Sequence, residues 1–86
     1  MAEIHYSPLS LQDLDDIWDY ISQKLYNTIA AQNTINGIMN VIDRLAEQPE
    51  MGSPLYFLSG LNSGYRYVIY KNYMAFYRTN KTDVFI

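Results

Sequence analysis

Apolar residues run along the chain first at helical spacing and then in alternation. Leu11, Leu14, Ile17, Trp18, Ile21 and Leu25 form one stripe, and Ala31, Ile35, Ile38, Ile42 and Leu45 form a second, widened by Met39 and Ala46. Ser7 before Pro8, or Ser10 with Asp13 three residues on, predicts the first helix start. Asp13, Asp15 and Asp16 would then sit in its first turns, near the positive helix end. Asn27 ends this helix or caps the next, and Pro49 ends the second. Gly37 interrupts the second stripe at a cost of roughly 1 kcal/mol relative to Ala, which points to close helix packing or a tolerated defect. Two amphipathic helices joined so closely make an antiparallel hairpin.

The period changes to two at the flanks. "AEIHY" (2–6) predicts a short strand, and Tyr65–Tyr70, Tyr73–Thr79 and Thr82–Ile86 predict three more. The loop-rich stretch 49–64 encloses one further extended piece at Leu55–Leu58. The expected class is α+β: a short N-terminal strand, then an antiparallel helical hairpin packed on a small antiparallel sheet, in the order β-α-α-β-β-β. With Lys71-Asn72 as a two-residue turn, Tyr70 faces Tyr73, Val68 faces Ala75 and Arg66 faces Tyr77. With Asn80-Lys81 as the next turn, Arg78 lies opposite Asp83 and Phe76 opposite Phe85. Ile69, Met74, Phe76 and Phe85 make the bulkier, more apolar side, which is assigned to the helices. Arg66, Tyr70, Tyr73 and Tyr77 are left on the open side. A third hairpin strand ending in "VFI" predicts an exposed sheet edge, and with it self-association or dependence on a partner.

Composition narrows the function. The 86 residues suffice for one domain, 1–86, with a single core. There is no cysteine, which removes a disulfide framework and thiolate metal sites and fits a reducing cytoplasm. No signal peptide or apolar run of membrane-spanning length is read, so no membrane is expected. The net charge of −3 argues against a direct nucleic-acid reader. The charge is uneven, however. Residues 1–50 hold eight of the nine acids, and residues 60–81 hold Arg66, Lys71, Arg78 and Lys81 without one. Six of the nine tyrosines also fall after residue 55, so the basic, aromatic C-terminal third is where function is sought.

The ordered set "DLDDIWDYI", "IDRLAEQPEMGSPL" and "GYRYVIYKNYMAFYRTNKTDVFI" resembles the RelE/ParE toxin superfamily of bacterial type II toxin–antitoxin and plasmid-stabilisation systems, over essentially the whole chain. Its most specific parts are Leu45, Pro49 and Gly52 at the end of the second helix, and the "YR…Y…FYR" hairpin. The resemblance implies a toxin neutralised by a cognate antitoxin. Its target is DNA gyrase in the ParE-like branch, or ribosome-bound mRNA in the RelE-like, endoribonuclease branch. Operator DNA is reached indirectly, through the antitoxin. In the family the strand matching "DVFI" runs on into a basic tail, which is not read after Ile86; the alternative is therefore a truncated, inactive remnant that only binds antitoxin.

RNA cleavage needs a base, a cation for the phosphorane and an acid. By resemblance Arg66 is the candidate catalytic cation; the plainer reading is a sheet arginine paired with a helix acid. Arg78 has Asp83 as its expected structural partner across the turn. Val68 and Met74 stand where RelE-like nucleases carry Lys or Arg, which favours the ParE-like branch. Tyr70, Tyr73, Tyr77 and Arg78 are the expected substrate- or partner-facing residues, able to stack bases or pack on an antitoxin. His5, the only histidine, is read as ordinary edge surface, the acids of "DLDD" as a solvated helix start and Trp18 as core. No cofactor and no metal are expected. If the chain cleaves RNA, Arg66→Ala abolishes cleavage in a translation extract while leaving antitoxin affinity nearly unchanged. Equal cleavage by the variant would remove Arg66 from the chemistry.

Overall fold

The computed structural model describes residues 1–80 and 82–86. The first strand, β1 (Glu3–His5), leads into helix α1 (Pro8–Asp19). Ser7, rather than Ser10, is the N-cap: its Oγ accepts the Ser10 N–H at 3.0 Å, and Pro8 takes the first helical position, where no N–H is needed. The helix therefore starts earlier than its acids, and none of them lies in its first turn. The expected dipole role of Asp13, Asp15 and Asp16 falls away for that reason. The helix relaxes into a π-helical turn over Tyr20–Lys24, and Tyr26 takes a left-handed φ of 53° to reverse the chain. Asn27 then caps α2 (Thr28–Asp43) by accepting the Ala30 N–H at 2.9 Å. A single 3₁₀ turn, Arg44–Ala46, closes α2 before Pro49.

Four more strands follow: β2 (Ser53–Tyr56), β3 (Asn62–Tyr70), β4 (Tyr73–Thr79) and β5 (Asp83–Phe85). The expected α+β class holds, with the helical hairpin packed on a five-stranded sheet of order β1-β5-β4-β3-β2. The sheet is mixed rather than purely antiparallel, because β1 pairs with β5 in parallel. β5 is consequently interior to the sheet, not its edge. The edges are β1 and β2, both short.

The β3–β4 register is the one read from the sequence, with Tyr70 opposite Tyr73 and Arg66 opposite Tyr77. The β4–β5 register differs by two residues: Arg78 pairs with Phe85 and Thr79 with Val84. Lys81, half of the expected turn, lies outside the described residues. The Asn80 side-chain carbonyl accepts the N–H groups of Thr82 and Asp83, both at 2.8 Å, and this Asx-type closure sets the longer register. A shift of two preserves the faces but separates Arg78 from Asp83.

The faces themselves are reversed from expectation. Val68 and Tyr77 are buried under the helices, whereas Ile69, Met74, Phe76 and Phe85 are 42–57% exposed on the open side. Two contacts explain the reversal. Gly37 brings α2 so close to β3 that a Cβ there would collide with the Tyr70 ring, so the space beneath α2 suits Val68 and Ala75 better than larger side chains. Tyr77 fills the remainder because its hydroxyl finds partners, as described below. The central cluster is Ala2, Leu45, Val68, Tyr77 and Val84, with Ile4, Val41, Ala75 and Ile86 packed against it.

α1 contributes little to this core. It packs chiefly on α2, whereas α2 packs on β3 as well, and no residue of α1 is buried. Trp18 is half-buried and Leu11 and Leu25 are exposed, so the first stripe is only partly used. The reversal of faces is checked by urea unfolding. Leu45→Ala is expected to cost about 2–5 kcal/mol, while Ile69→Thr on the open face stays within about 0.5 kcal/mol. Equal losses from the two substitutions would contradict the assignment.

Candidate functional site

The loop after α2 is held by one side chain from β4 and one from β3. The Tyr77 hydroxyl, on a residue only 1% exposed, donates to the Pro49 carbonyl at 2.7 Å and accepts the Gly52 N–H at 3.0 Å. Arg66, directly opposite on β3, donates from one guanidinium nitrogen to the Gly52 carbonyl at 2.8 Å and to the Glu50 carbonyl at 3.2 Å. Gly52 has no room for a Cβ, which would come within 2.7 Å of the Tyr67 carbonyl oxygen. Leu45, Pro49 and Gly52 thus form one packing and hydrogen-bonding unit with Tyr77. Burial pushes the Tyr77 phenol above its ordinary value of 10.0, and the Gly52 N–H and the Arg66 charge partly oppose that rise.

The expected site residues separate into two groups. Arg66, Tyr70, Tyr73 and Tyr77 point to the helix side, and Arg78 points to the open side. Arg66 meets backbone carbonyls, in place of the helix acid expected as its structural partner. Tyr77 is enclosed and presents no surface to a partner. Tyr70 and Tyr73 line an apolar groove of about 280 Å³ between α1, α2 and the sheet, together with Leu14, Ile17, Ile38 and Val41. Arg78 sits 5.6 Å over the Tyr65 ring, a cation–π contact, and opposite Phe85 rather than Asp83.

Tyr6 also lines the groove and was missed in the sequence. Its hydroxyl is buried without a hydrogen-bond partner among the described residues. Burial, with the Asp43 carboxylate as a lesser cause, raises its pKa. An orphaned buried hydroxyl is costly, about 1–3 kcal/mol. In a mostly apolar groove, whose lining also includes Ser7, Ser10 and Asp13, it marks a point where an incoming polar group gains a hydrogen bond. No local sequence signal identifies it, because the groove is assembled from α1, α2 and the sheet.

His5 likewise has neighbours that the sequence did not reveal. Its Nε2 lies 2.7 Å from Asp83 Oδ1, and its ring stacks on Phe85 with centroids 5.1 Å apart. Hydrogen bonds from His5 and then Thr82 hold the Asp83 carboxyl below the usual carboxylate range. Two residues distant by 78 positions meet because β1 and β5 are parallel neighbours. Among the described residues no helix is long and apolar enough to cross a membrane.

Comparison with known proteins adds to this geometry. A family model described as the ParE toxin of the type II toxin–antitoxin system, parDE, matches residues 4–86. A solved structure described as the chromosomal ParDE TA system from P. aeruginosa superposes with a TM-score of 0.78 at 19% identity, covering 100% of this chain and 90% of that chain. At that identity the likeness is one of fold. No curated protein sequence matches the chain.

Replacing Tyr77 by Phe leaves the Pro49 carbonyl and the Gly52 N–H unpaired, and the expected cost is about 1–3 kcal/mol in denaturant unfolding. The raised phenol also sets a pH dependence. The folded state holds the proton more tightly than the unfolded one, so this contribution is complete below pH 10.0 and is lost as pH rises through the higher folded value. Tyr77→Phe is expected to flatten the alkaline limb of a stability–pH curve, with Tyr6 supplying what slope remains. An unchanged limb would show that the Tyr77 hydroxyl is not held as described.

Proposed function

Since the chain belongs to the ParE toxin family of type II toxin–antitoxin systems, we propose that it is the toxin of such a pair, held inactive by a cognate antitoxin and acting on DNA gyrase. The observation that carries the antitoxin half is the groove. It is mostly apolar, it lies between a helix with no buried residue and the sheet, and it contains the Tyr6 hydroxyl, unpartnered among the described residues. An amphipathic segment laid into it would cover Leu14, Ile17 and Ile38 and supply a polar partner to Tyr6. Operator DNA is then engaged through the antitoxin, with the toxin as co-repressor, and the pair works in the cytoplasm.

Gyrase is favoured over mRNA by the surroundings of the residues that RNA cleavage would need. Arg66 is engaged with the carbonyls of Glu50 and Gly52. Val68, at a position where the RNA-cleaving relatives carry a cation, is buried beneath α2. A cation there would be costly without a partner. Arg66 therefore reads as the support of the 49–52 loop.

Expression in a bacterial host tests this. The expected result is growth arrest with a DNA-damage response ahead of any fall in protein synthesis, relieved by the antitoxin, together with inhibition of gyrase supercoiling by the purified chain. Immediate mRNA cleavage with normal supercoiling would transfer the target to the ribosome. Absence of any arrest would leave an antitoxin-binding protein without toxicity.

A further inference from the structure

The corner of the open sheet face where β1 meets β5 carries three potential metal ligands. Glu3 and Asp83 are direct partners in the parallel register, and His5, two residues after Glu3, lies on the same face. One donor atom from each can be chosen so that all three lie within 4.8 Å of one another. The Glu3 and Asp83 carboxylates lie on neighbouring strands with the His5 imidazole beside Asp83, which gathers three donor groups at one accessible corner. The neighbours already fix the orientation of two ligands. Phe85 stacks under the imidazole with the rings 16° from parallel, and Thr82 Oγ1 donates to Asp83 Oδ2 at 2.7 Å, leaving Oδ1 directed at His5.

We propose that Glu3, His5 and Asp83 bind a divalent cation of the zinc class and that the ion clasps β1 to β5. One imidazole and two carboxylates suit Zn²⁺ and its spectroscopic substitute Co²⁺, with water completing the shell. The His5 and Asp83 side chains are 41% and 29% exposed, so water has access. At ligand distances of about 2.1 Å and near-tetrahedral angles, adjacent donors lie roughly 3.4 Å apart. The His5 Nε2 to Asp83 Oδ1 separation of 2.7 Å therefore opens by roughly 0.7 Å as the ion displaces the proton between them. The exposed Glu3 side chain swings in as the third ligand. The clasp would reinforce a strand only three residues long, beside which Ile86, just past β5, donates its N–H to the His5 carbonyl at 2.9 Å.

The test is titration of the full chain with ZnCl₂ by calorimetry and with CoCl₂ by visible absorption. The expected result is one equivalent bound, an increase in melting temperature and slower exchange of the Ile86 amide. Glu3→Gln and His5→Ala should each weaken binding at least tenfold, while Asp16→Asn on α1 should leave it unchanged. Glu3→Gln keeps the His5–Asp83 hydrogen bond, so it reports on the ligand role even if His5→Ala unfolds. Absence of stoichiometric binding, or binding unaltered by Glu3→Gln, would overturn the proposal in favour of a simple His5–Asp83 pair.

Discussion

The Tyr77 hydroxyl is the contact on which the arrangement of layers depends. A tyrosine enters the core of a small domain only if its O–H is satisfied there. Here the Pro49 carbonyl and the Gly52 N–H satisfy it from the loop that follows α2. The bond links β4 to the segment leading into β2, so helix exit, loop and sheet are fixed by one side chain. Arg66 reinforces the same loop from the neighbouring strand. Because Tyr77 faces inward, Val68 and Ala75 do too, and the pleat turns Ile69, Met74 and Phe76 outward.

That orientation gives the molecule two unlike apolar surfaces. One is the groove between α1, α2 and the sheet, left because α1 packs chiefly on α2. The other is the open sheet face, where Ile69, Met74, Phe76 and Phe85 remain accessible beside Arg78. Aromatic residues, Met and Arg are the side chains enriched at protein interfaces. Both surfaces are left accessible by the chain alone.

The parallel pairing of β1 with β5 gives the sheet its second organising constraint. It brings residues from the two flanks of the sequence into one corner, where His5, Asp83 and Phe85 interlock. It also places Val84 in the interior of the sheet, fully buried beside Ala2 and Leu45. The strand that the sequence suggested as an edge is thereby a core element.

The sequence by itself determined the elements: two helices whose starts it narrowed to Ser7 or Ser10 and to the neighbourhood of Asn27, the end of α2 before Pro49, the three later strands and the pairing across Lys71-Asn72. These follow from local chemistry, namely capping side chains, the 3.6-residue period and the two-residue alternation. At Gly37 the sequence offered close helix packing or a tolerated defect, and the structure decides for close packing, against Tyr70 of β3. The ordering of Leu45, Pro49 and Gly52 was visible as a pattern, but its cause, the Tyr77 hydroxyl, was not. Only the tertiary structure decided which sheet face is buried, because alternation is symmetric until a particular hydrogen bond selects one side. It alone separated Arg78 from Asp83, since the Asn80 closure sets a register that differs by two residues. It alone gave His5 and Tyr6 their surroundings, which come from contacts across the fold and leave no trace in neighbouring residues.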